Sequence, residues 1–192
     1  MVKDYKIIKH IYSNLQTNRT NIFLVEKNYE LYTLKIMSPD ENDNINGKIN
    51  YELYTNPYKK IYPKIKDIEN IVKIYDFWWN NEKFYLLSEY LEGSSVYDAE
   101  KNGWFQFEEK REILSRMMLI LSEIYNRNIV ILDPSPRNFI ITEDKSKLTM
   151  IDFDCLFKRE TVLQTDHLLE KSFRFLSNLI MWSTLKSEEY YD

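Results

Sequence analysis

Asp133, Asn138 and Asp152 each stand at the mouth of a short apolar run, a place from which oxygen-bearing side chains can hold a hard cation. The first two belong to Ile129-Val130-Ile131-Leu132-Asp133-Pro134-Ser135-Pro136-Arg137-Asn138-Phe139-Ile140-Ile141, where a strand-like run breaks at the acid, turns through two prolines and resumes after the amide. The third ends the apolar part of Leu148-Thr149-Met150-Ile151-Asp152-Phe153-Asp154. Mg²⁺ takes oxygen ligands and reaches phosphates through one or two carboxylates, so strands that deliver such groups to one edge suit phosphate chemistry. Each proline drives the residue before it into extended geometry, which predicts an extended Asp133 and Ser135 and a loop stiffened without glycine. Stiffness holds such a side chain in a fixed position. Any one of the three residues alone reads equally as an ordinary turn cap.

The elements that must position this trio show in the patterning. Tyr5 to Tyr12, Asn21 to Lys27 and Glu30 to Met37 are rich in β-branched and aromatic residues, and Lys27-Asn28-Tyr29-Glu30 reads as a hairpin turn. A polar segment, Ser38 to Lys48, leads to a helical stretch around Ile49 to Ile61; the strands Ile71 to Trp79 and Lys83 to Glu89 follow, joined at Asn80-Asn81-Glu82. This predicts five antiparallel strands with one helix after the third. From Phe107 to Arg127, Ile113, Leu114, Met117, Met118, Leu121, Ile124 and Tyr125 recur at helical spacing, the methionines reading as core fillers. A hairpin turning at Glu143-Asp144-Lys145-Ser146 joins the two motif runs. A last helix is expected around Arg159 to Leu185, with Leu168, Leu169, Phe173, Leu176, Leu179, Ile180 and Trp182 forming its apolar side.

Bulk properties narrow the function. With 192 residues, 44% of them hydrophobic, the chain can fill the core of one domain or of two small lobes. A net charge of −4 gives no basic footprint for nucleic acid or an anionic membrane, and Lys59, Lys60, Lys64 and Lys66 read as a solvated helix face. One cysteine, Cys155, excludes an internal disulfide and fits a reducing compartment. There is no apolar stretch of ~18 residues and no signal-peptide core after Met1-Val2-Lys3-Asp4, so a cytoplasmic location is expected. His10 and His167 are isolated and lack metal-ligand spacing, which weakens a metal-dependent hydrolase reading. With three glycines in all, Asn and Asp must supply many turns.

From about Tyr5 to Asp154 the chain resembles the protein kinase-like superfamily. Leu31-Tyr32-Thr33-Leu34-Lys35-Ile36 looks like the strand whose lysine pairs the α- and β-phosphates of ATP, and Glu52 in Ile49-Asn50-Tyr51-Glu52-Leu53-Tyr54 stands where the first helix supplies that lysine's carboxylate partner. Lys35, Glu52, Asn70-Ile71-Val72, Glu89 and Asp133 follow in family order. The resemblance implies that Asp133 accepts the proton of the attacking hydroxyl, that Asn138 binds a metal ion and that Asp152 bridges Mg²⁺ to the phosphates. Glu89-Tyr90-Leu91 looks like the hinge, with the carbonyl of Glu89 and the amide of Leu91 facing adenine and the small Ser88 behind them. An α+β fold is thereby implied: a two-lobed kinase-like domain with an N-lobe at 1–90, built of a five-stranded antiparallel sheet and one helix, and a shortened, mainly helical C-lobe at 91–192.

Departures from the family pattern qualify this expectation. The glycine-rich loop is absent: counting back from Lys35 through Ile22, its glycines fall near Leu15, Thr17 and Thr20, so Thr17, Thr20 and Ile22 are the residues expected to close on the phosphates. The usual His-Arg before the base is Ile131-Leu132, which removes the partner of a phosphorylated activation loop. The customary lysine two residues after the base is Ser135; Arg137, four after Asp133, is a candidate to restore that charge. Asp154 replaces the glycine after Asp152-Phe153. Thirty-eight residues follow Asp154, too few for the usual peptide-docking subdomain. Locally, Asp133-Pro134 with Asn138-Phe139-Ile140-Ile141 resembles bacterial lipopolysaccharide core (heptose) kinases over about a dozen residues. The expected function is ATP- and Mg²⁺-dependent transfer of the γ-phosphoryl to a hydroxyl of a protein, glycan or small molecule. The alternative is a nucleotide-binding pseudokinase that acts as an interaction or regulatory module.

Overall fold

A computed structural model describes residues 4–13, 19–39, 44–45, 48–154 and 156–163, with helical positions 168, 170, 174, 176–178, 180 and 181. Two compact units form: Met1–Tyr58 with Val72–Leu91, and Lys59–Ile71 with Glu92–Asp192. The segment 59–71, which a division at residue 90 leaves with the first part, belongs with the second.

The first unit is built on a five-stranded antiparallel sheet. Its strands are β1 (Lys6–Ser13), β2 (Thr20–Lys27), β3 (Glu30–Met37), β6 (Ile74–Asn80) and β7 (Lys83–Glu89), in the order β1-β2-β3-β7-β6. Two-residue turns at Asn28-Tyr29 and Asn81-Glu82 have positive φ throughout (54°, 65°, 46° and 59°), the backbone that matches the twist of a tight hairpin and that Asn tolerates. Inside the expected polar segment lie two short strands, β4 (Asn44–Ile45) and β5 (Lys48–Ile49), so Ile49 is strand rather than helix. The helix α1 spans only Tyr51–Asn56 and widens into a π-helical turn at Pro57–Ile61. Pro57 lacks the N–H that would bond the Leu53 carbonyl, which shortens the expected helix. Ile71 also leaves the expected strand, making an isolated parallel bridge to Met150.

Both faces of this sheet are apolar. On one, Val25, Leu34, Tyr85 and Leu87 are buried under Tyr5, Phe23, Tyr32, Ile36 and Trp78, and Trp78 stacks on Tyr85 with ring centroids 5.3 Å apart. On the other, α1 and the turn after it dock through rings: Tyr51 and Tyr54 meet Trp79 edge-on at 4.6 and 5.5 Å, and Tyr58 packs on Phe84 at 5.7 Å. Trp79 Nε1 also donates to Thr55 Oγ1 at 3.1 Å. Two covered faces explain why Phe84, Tyr85, Leu86 and Leu87 form an unbroken buried run instead of an alternating one.

The second unit is organised by α3 (Phe107–Asn126). Gln106 and Glu109 cap it reciprocally, satisfying two otherwise orphaned backbone donors. Its buried stripe is Lys110, Ile113, Met117, Ile120 and Ile124; Met118 and Tyr125, expected on that stripe, are exposed. Lys110 is 3% exposed and pairs with Glu100, 5% exposed, on the short helix α2 (Val96–Lys101). Strand β8 (Ser94–Ser95) pairs with β10 (Phe139–Ile141), which pairs with β11 (Leu148–Met150), while β9 (Ile129–Ile131) pairs with β12 (Leu156–Lys158). Arg116 fastens the β10–β11 turn to α3 by donating to the carbonyls of Lys145 and Ser146 at 2.7 and 3.1 Å. A short helix, α4, covers Arg159–Leu163. The rest of the expected final helix, Trp182 included, lies largely outside the described residues; Ile180 and Met181 are exposed.

Candidate active site

The loop between β9 and β10 carries Asp133, Arg137 and Asn138. Leu132, 1% exposed, anchors the end of β9, and the chain emerges at the half-buried Asp133. Pro134 and Pro136 are buried, and Ser135 is extended (φ −63°, ψ 146°), as the proline after it requires. Ser135 Oγ then accepts from the Arg137 N–H at 3.3 Å, starting a 3₁₀ turn at Pro136–Asn138. Asn138 closes the loop on itself: its Nδ2 donates to the Asp133 carbonyl at 2.9 Å.

A third strand is tied to the same loop. Ile151 N–H donates to the Asn138 carbonyl at 2.9 Å, which places the residue before Asp152 against the residue that closes the loop. Asp152 is half-buried, and its Oδ1 accepts from the Asp154 N–H at 3.0 Å, so the Asp152 side chain caps a tight turn through the backbone of the residue standing in for glycine. Phe153, fully buried, packs against Tyr62 with centroids 5.7 Å apart. The pairing of β12 with β9 sets Leu156 opposite Ile131, so the chain after Asp152 returns beside the strand that leads to Asp133. Asp133, Asn138 and Asp152 are thus brought together by backbone and amide hydrogen bonds in one unit.

This donor set suits Mg²⁺. Asn138 spends its amide N–H on the loop, which leaves the carbonyl oxygen Oδ1 as the end able to bind a cation. Asp152 adds a carboxylate. Among the described residues no group of three or more Asp, Glu, His or Cys side chains can hold a metal ion by itself.

In the first unit, Lys35 lies opposite Ile22 on one side and Leu86 on the other. Directly paired residues share a sheet face, and two residues along β3, Met37 opposes Phe84, so Lys35 is on the face where α1 docks. Glu52 is exposed in the first turn of α1, its carboxylate accepting from Asn56 Nδ2 at 3.4 Å. Glu89 ends β7 in a two-point clamp: its N–H donates to the Lys73 carbonyl at 2.9 Å, and its Oε1 accepts from the Lys73 N–H at 2.8 Å. Ser88 Oγ donates to the Glu89 carbonyl at 3.4 Å. Leu91 is half-buried just beyond, Thr20 starts β2 opposite Met37, and Thr17 lies outside the described residues.

Two contributors escaped the sequence reading. Tyr97, on α2, lies under Arg137, whose guanidinium carbon is 3.5 Å from the ring centroid; a contact across forty residues leaves no periodic trace. Gly93 (φ +148°) is the other: a Cβ there would sit 2.3 Å from the Ile141 carbonyl oxygen, so only glycine lets β8 lie on β10. A rare glycine just past Glu89-Tyr90-Leu91 was the signal available for it.

The chain matches the protein kinase domain over residues 21–169. It is 27% identical over 128 residues to serine/threonine-protein kinase D of Synechocystis sp., covering 65% of this chain and 24% of that protein. To the probable serine/threonine-protein kinase fnkB of Dictyostelium discoideum it is 25% identical over 159 residues, covering 81% and 28%. The solved kinase PK-1 of the Cydia pomonella granulovirus shares the fold with a TM-score of 0.60 at 17% identity, over 80% of this chain and 52% of that one. The chain spans only 24% and 28% of the length of these two curated relatives. A match that runs from β2 through both motif strands, on a fold shared with a solved kinase, makes this chain a member of the protein kinase family.

Proposed function

We propose that the chain is a phosphotransferase that moves the γ-phosphoryl of ATP, with Mg²⁺, onto a hydroxyl group. The observation that carries this reading is the lacing of Asp133, Asn138 and the Asp152 strand by the Asn138 Nδ2 and Ile151 N–H bonds, each 2.9 Å. Asp133 takes the proton of the acceptor hydroxyl as its oxygen bonds to the γ-phosphorus, and ADP leaves. Lys35, on the α1 face of the sheet, pairs the α- and β-phosphates, with Glu52 as the candidate to steady it. The Glu89 carbonyl and Leu91 amide receive the adenine; Thr17, Thr20 and Ile22 border the phosphates; Arg137 supplies the catalytic loop's positive charge. Asn138 and Asp152 hold Mg²⁺, which neutralises charge on the phosphates when bound.

Names of the relatives favour a serine or threonine hydroxyl as acceptor, whereas the likeness to lipopolysaccharide core kinases rests on its dozen residues alone. A single cysteine supports a cytoplasmic setting, and among the described residues no helix is long and apolar enough to cross a membrane. The competing reading is a nucleotide-binding module without turnover, and it draws on the missing glycines between Leu15 and Thr20.

Thermal unfolding with and without Mg²⁺-ATP tests the binding step. Near 100 times Kd, ligand adds about 2.7 kcal/mol of stability. Asp152→Ala is expected to remove most of the Mg²⁺-dependent part of that shift. An unshifted wild-type protein would contradict the proposal.

A further inference from the structure

We infer that Arg137, held over the Tyr97 ring, selects an acceptor hydroxyl flanked by an anionic group, a carboxylate or phosphate on an acidic peptide; this rests on the phosphotransferase reading above. Three features of Arg137 point this way. Its backbone is fixed on the N-terminal side, by the buried Pro136 and by the Ser135 Oγ that accepts its N–H. Its guanidinium carbon lies over the Tyr97 ring, 3.5 Å from the centroid, a close cation–π contact. The ring covers one side of the guanidinium, whose N–H donors form a planar fork that fits carboxylate or phosphate oxygens.

The platform beneath is equally built. Tyr97 sits in the first turn of α2, whose cap, Ser95, accepts from the Asp98 N–H at 3.0 Å and donates to the Asp98 carboxylate at 2.6 Å. Ser95 is also paired with Ile140 across β8 and β10, so ring and guanidinium ride on elements bonded to each other. Asp98, the acid nearest in sequence to the ring, is thereby engaged with its own helix cap.

Arg111 and Arg159 also lie over rings, at 5.9 and 5.0 Å, but of these three Arg137 is the one in the loop that carries Asp133. Arg127 is paired with Asp67 and bonded to the Lys64 carbonyl, and Arg116 is committed to two carbonyls. Among the described residues the Arg137 guanidinium has no carboxylate partner, although Asp and Glu outnumber Lys and Arg by 30 to 26. An exposed fork, immobilised and four residues from the base, awaits an anion that arrives with the acceptor.

The test uses the full chain, Mg²⁺-ATP and four peptides that differ only beside one serine: glutamate, phosphoserine, glutamine or lysine. Wild type is expected to favour the glutamate or phosphoserine peptide over the glutamine peptide in kcat/KM by roughly 10- to 100-fold, the range of one charge-assisted hydrogen bond. Which of the two leads identifies carboxylate or phosphate as the natural anion. Arg137→Gln should bring the ratio near one, and Arg137→Lys, which keeps charge but loses the planar fork, should restore it only in part. Tyr97→Phe should keep the ratio and Tyr97→Leu lower it, because the ring supplies the stack. An unchanged ratio in Arg137→Gln, a preference for the lysine peptide, or transfer to none of the four by a protein that Mg²⁺-ATP stabilises would each overturn the inference. A wild-type protein that Mg²⁺-ATP does not stabilise overturns instead the phosphotransferase reading beneath it.

Discussion

Replacing Gly93 by alanine isolates the contact that lets β8 lie on β10. An ideal Cβ at this position falls 2.3 Å from the Ile141 oxygen, 2.9 Å from its carbonyl carbon and 3.1 Å from Ile140 Cγ2. Even recurring close C–H···O contacts keep about 3.3 Å, so one strand must shift by about 1 Å, and the obstacle is backbone rather than a flexible side chain. Overpacking of this kind costs about 1–3 kcal/mol. A side chain at φ +148° costs about 1–2 kcal/mol more, for a total of about 2–5 kcal/mol or 4–20 °C in Tm for a chain of this size. Gly103→Ala is the matched control, since φ is +75° there and nothing lies within 4 Å of the added carbon, leaving only the conformational cost of about 1–2 kcal/mol. Urea unfolding of both variants reads the difference. Because Ile141 is three residues from Asn138, a shift of β10 should also slow transfer by about 100-fold. A Gly93→Ala protein no less stable than Gly103→Ala would refute the steric argument.

Truncating one member of the buried Glu100–Lys110 pair, 5% and 3% exposed, should destabilise the chain by about 3–5 kcal/mol in urea unfolding. The double replacement Glu100→Leu with Lys110→Met should recover most of that loss; a double variant destabilised by the sum of the two single losses would show that the charges are not coupled. On the acid side, Arg127 holds Asp67 below the ordinary carboxylate range, Lys145 does the same for Glu109, and the Thr142 hydroxyl for Asp144, each chiefly through a side-chain hydrogen bond. Carboxyls lowered in the folded state stabilise it above their ordinary values of 3.8 for Asp and 4.5 for Glu, and that stability is lost as pH falls through the lower folded values. Arg127→Met and Lys145→Met should therefore flatten the acid limb of stability against pH, and an acid limb indistinguishable from wild type would count against these pairings.

What the sequence discloses follows from the range of the interaction involved. Strands β3 and β7 match their expected limits because the turns Asn28-Tyr29 and Asn81-Glu82 demand positive φ and the flanking residues favour extension. The Asp133, Asn138 and Asp152 trio is legible because each marks the end of an apolar run, and the proline rule anticipates the backbone of Ser135. Short elements defined by tertiary pairing were hidden: Ser94-Ser95 has no strand propensity and becomes β8 only because Gly93 admits it to Ile141. In α3, periodicity located the helix but spread its face too widely, for Met118 and Tyr125 are exposed while Ile120 and the ion-paired Lys110 are buried. No local pattern could place Tyr97 under Arg137, since the partner is supplied by another element.

The central claim is tested most directly by following γ-phosphoryl transfer from labelled ATP with wild type and Asp133→Ala, in the presence of Mg²⁺ and an acceptor that the wild type accepts. Transfer by the wild type and a loss of about 100- to 10,000-fold in Asp133→Ala, with stabilisation by Mg²⁺-ATP retained, is the expected result. Undiminished transfer by Asp133→Ala would contradict the account.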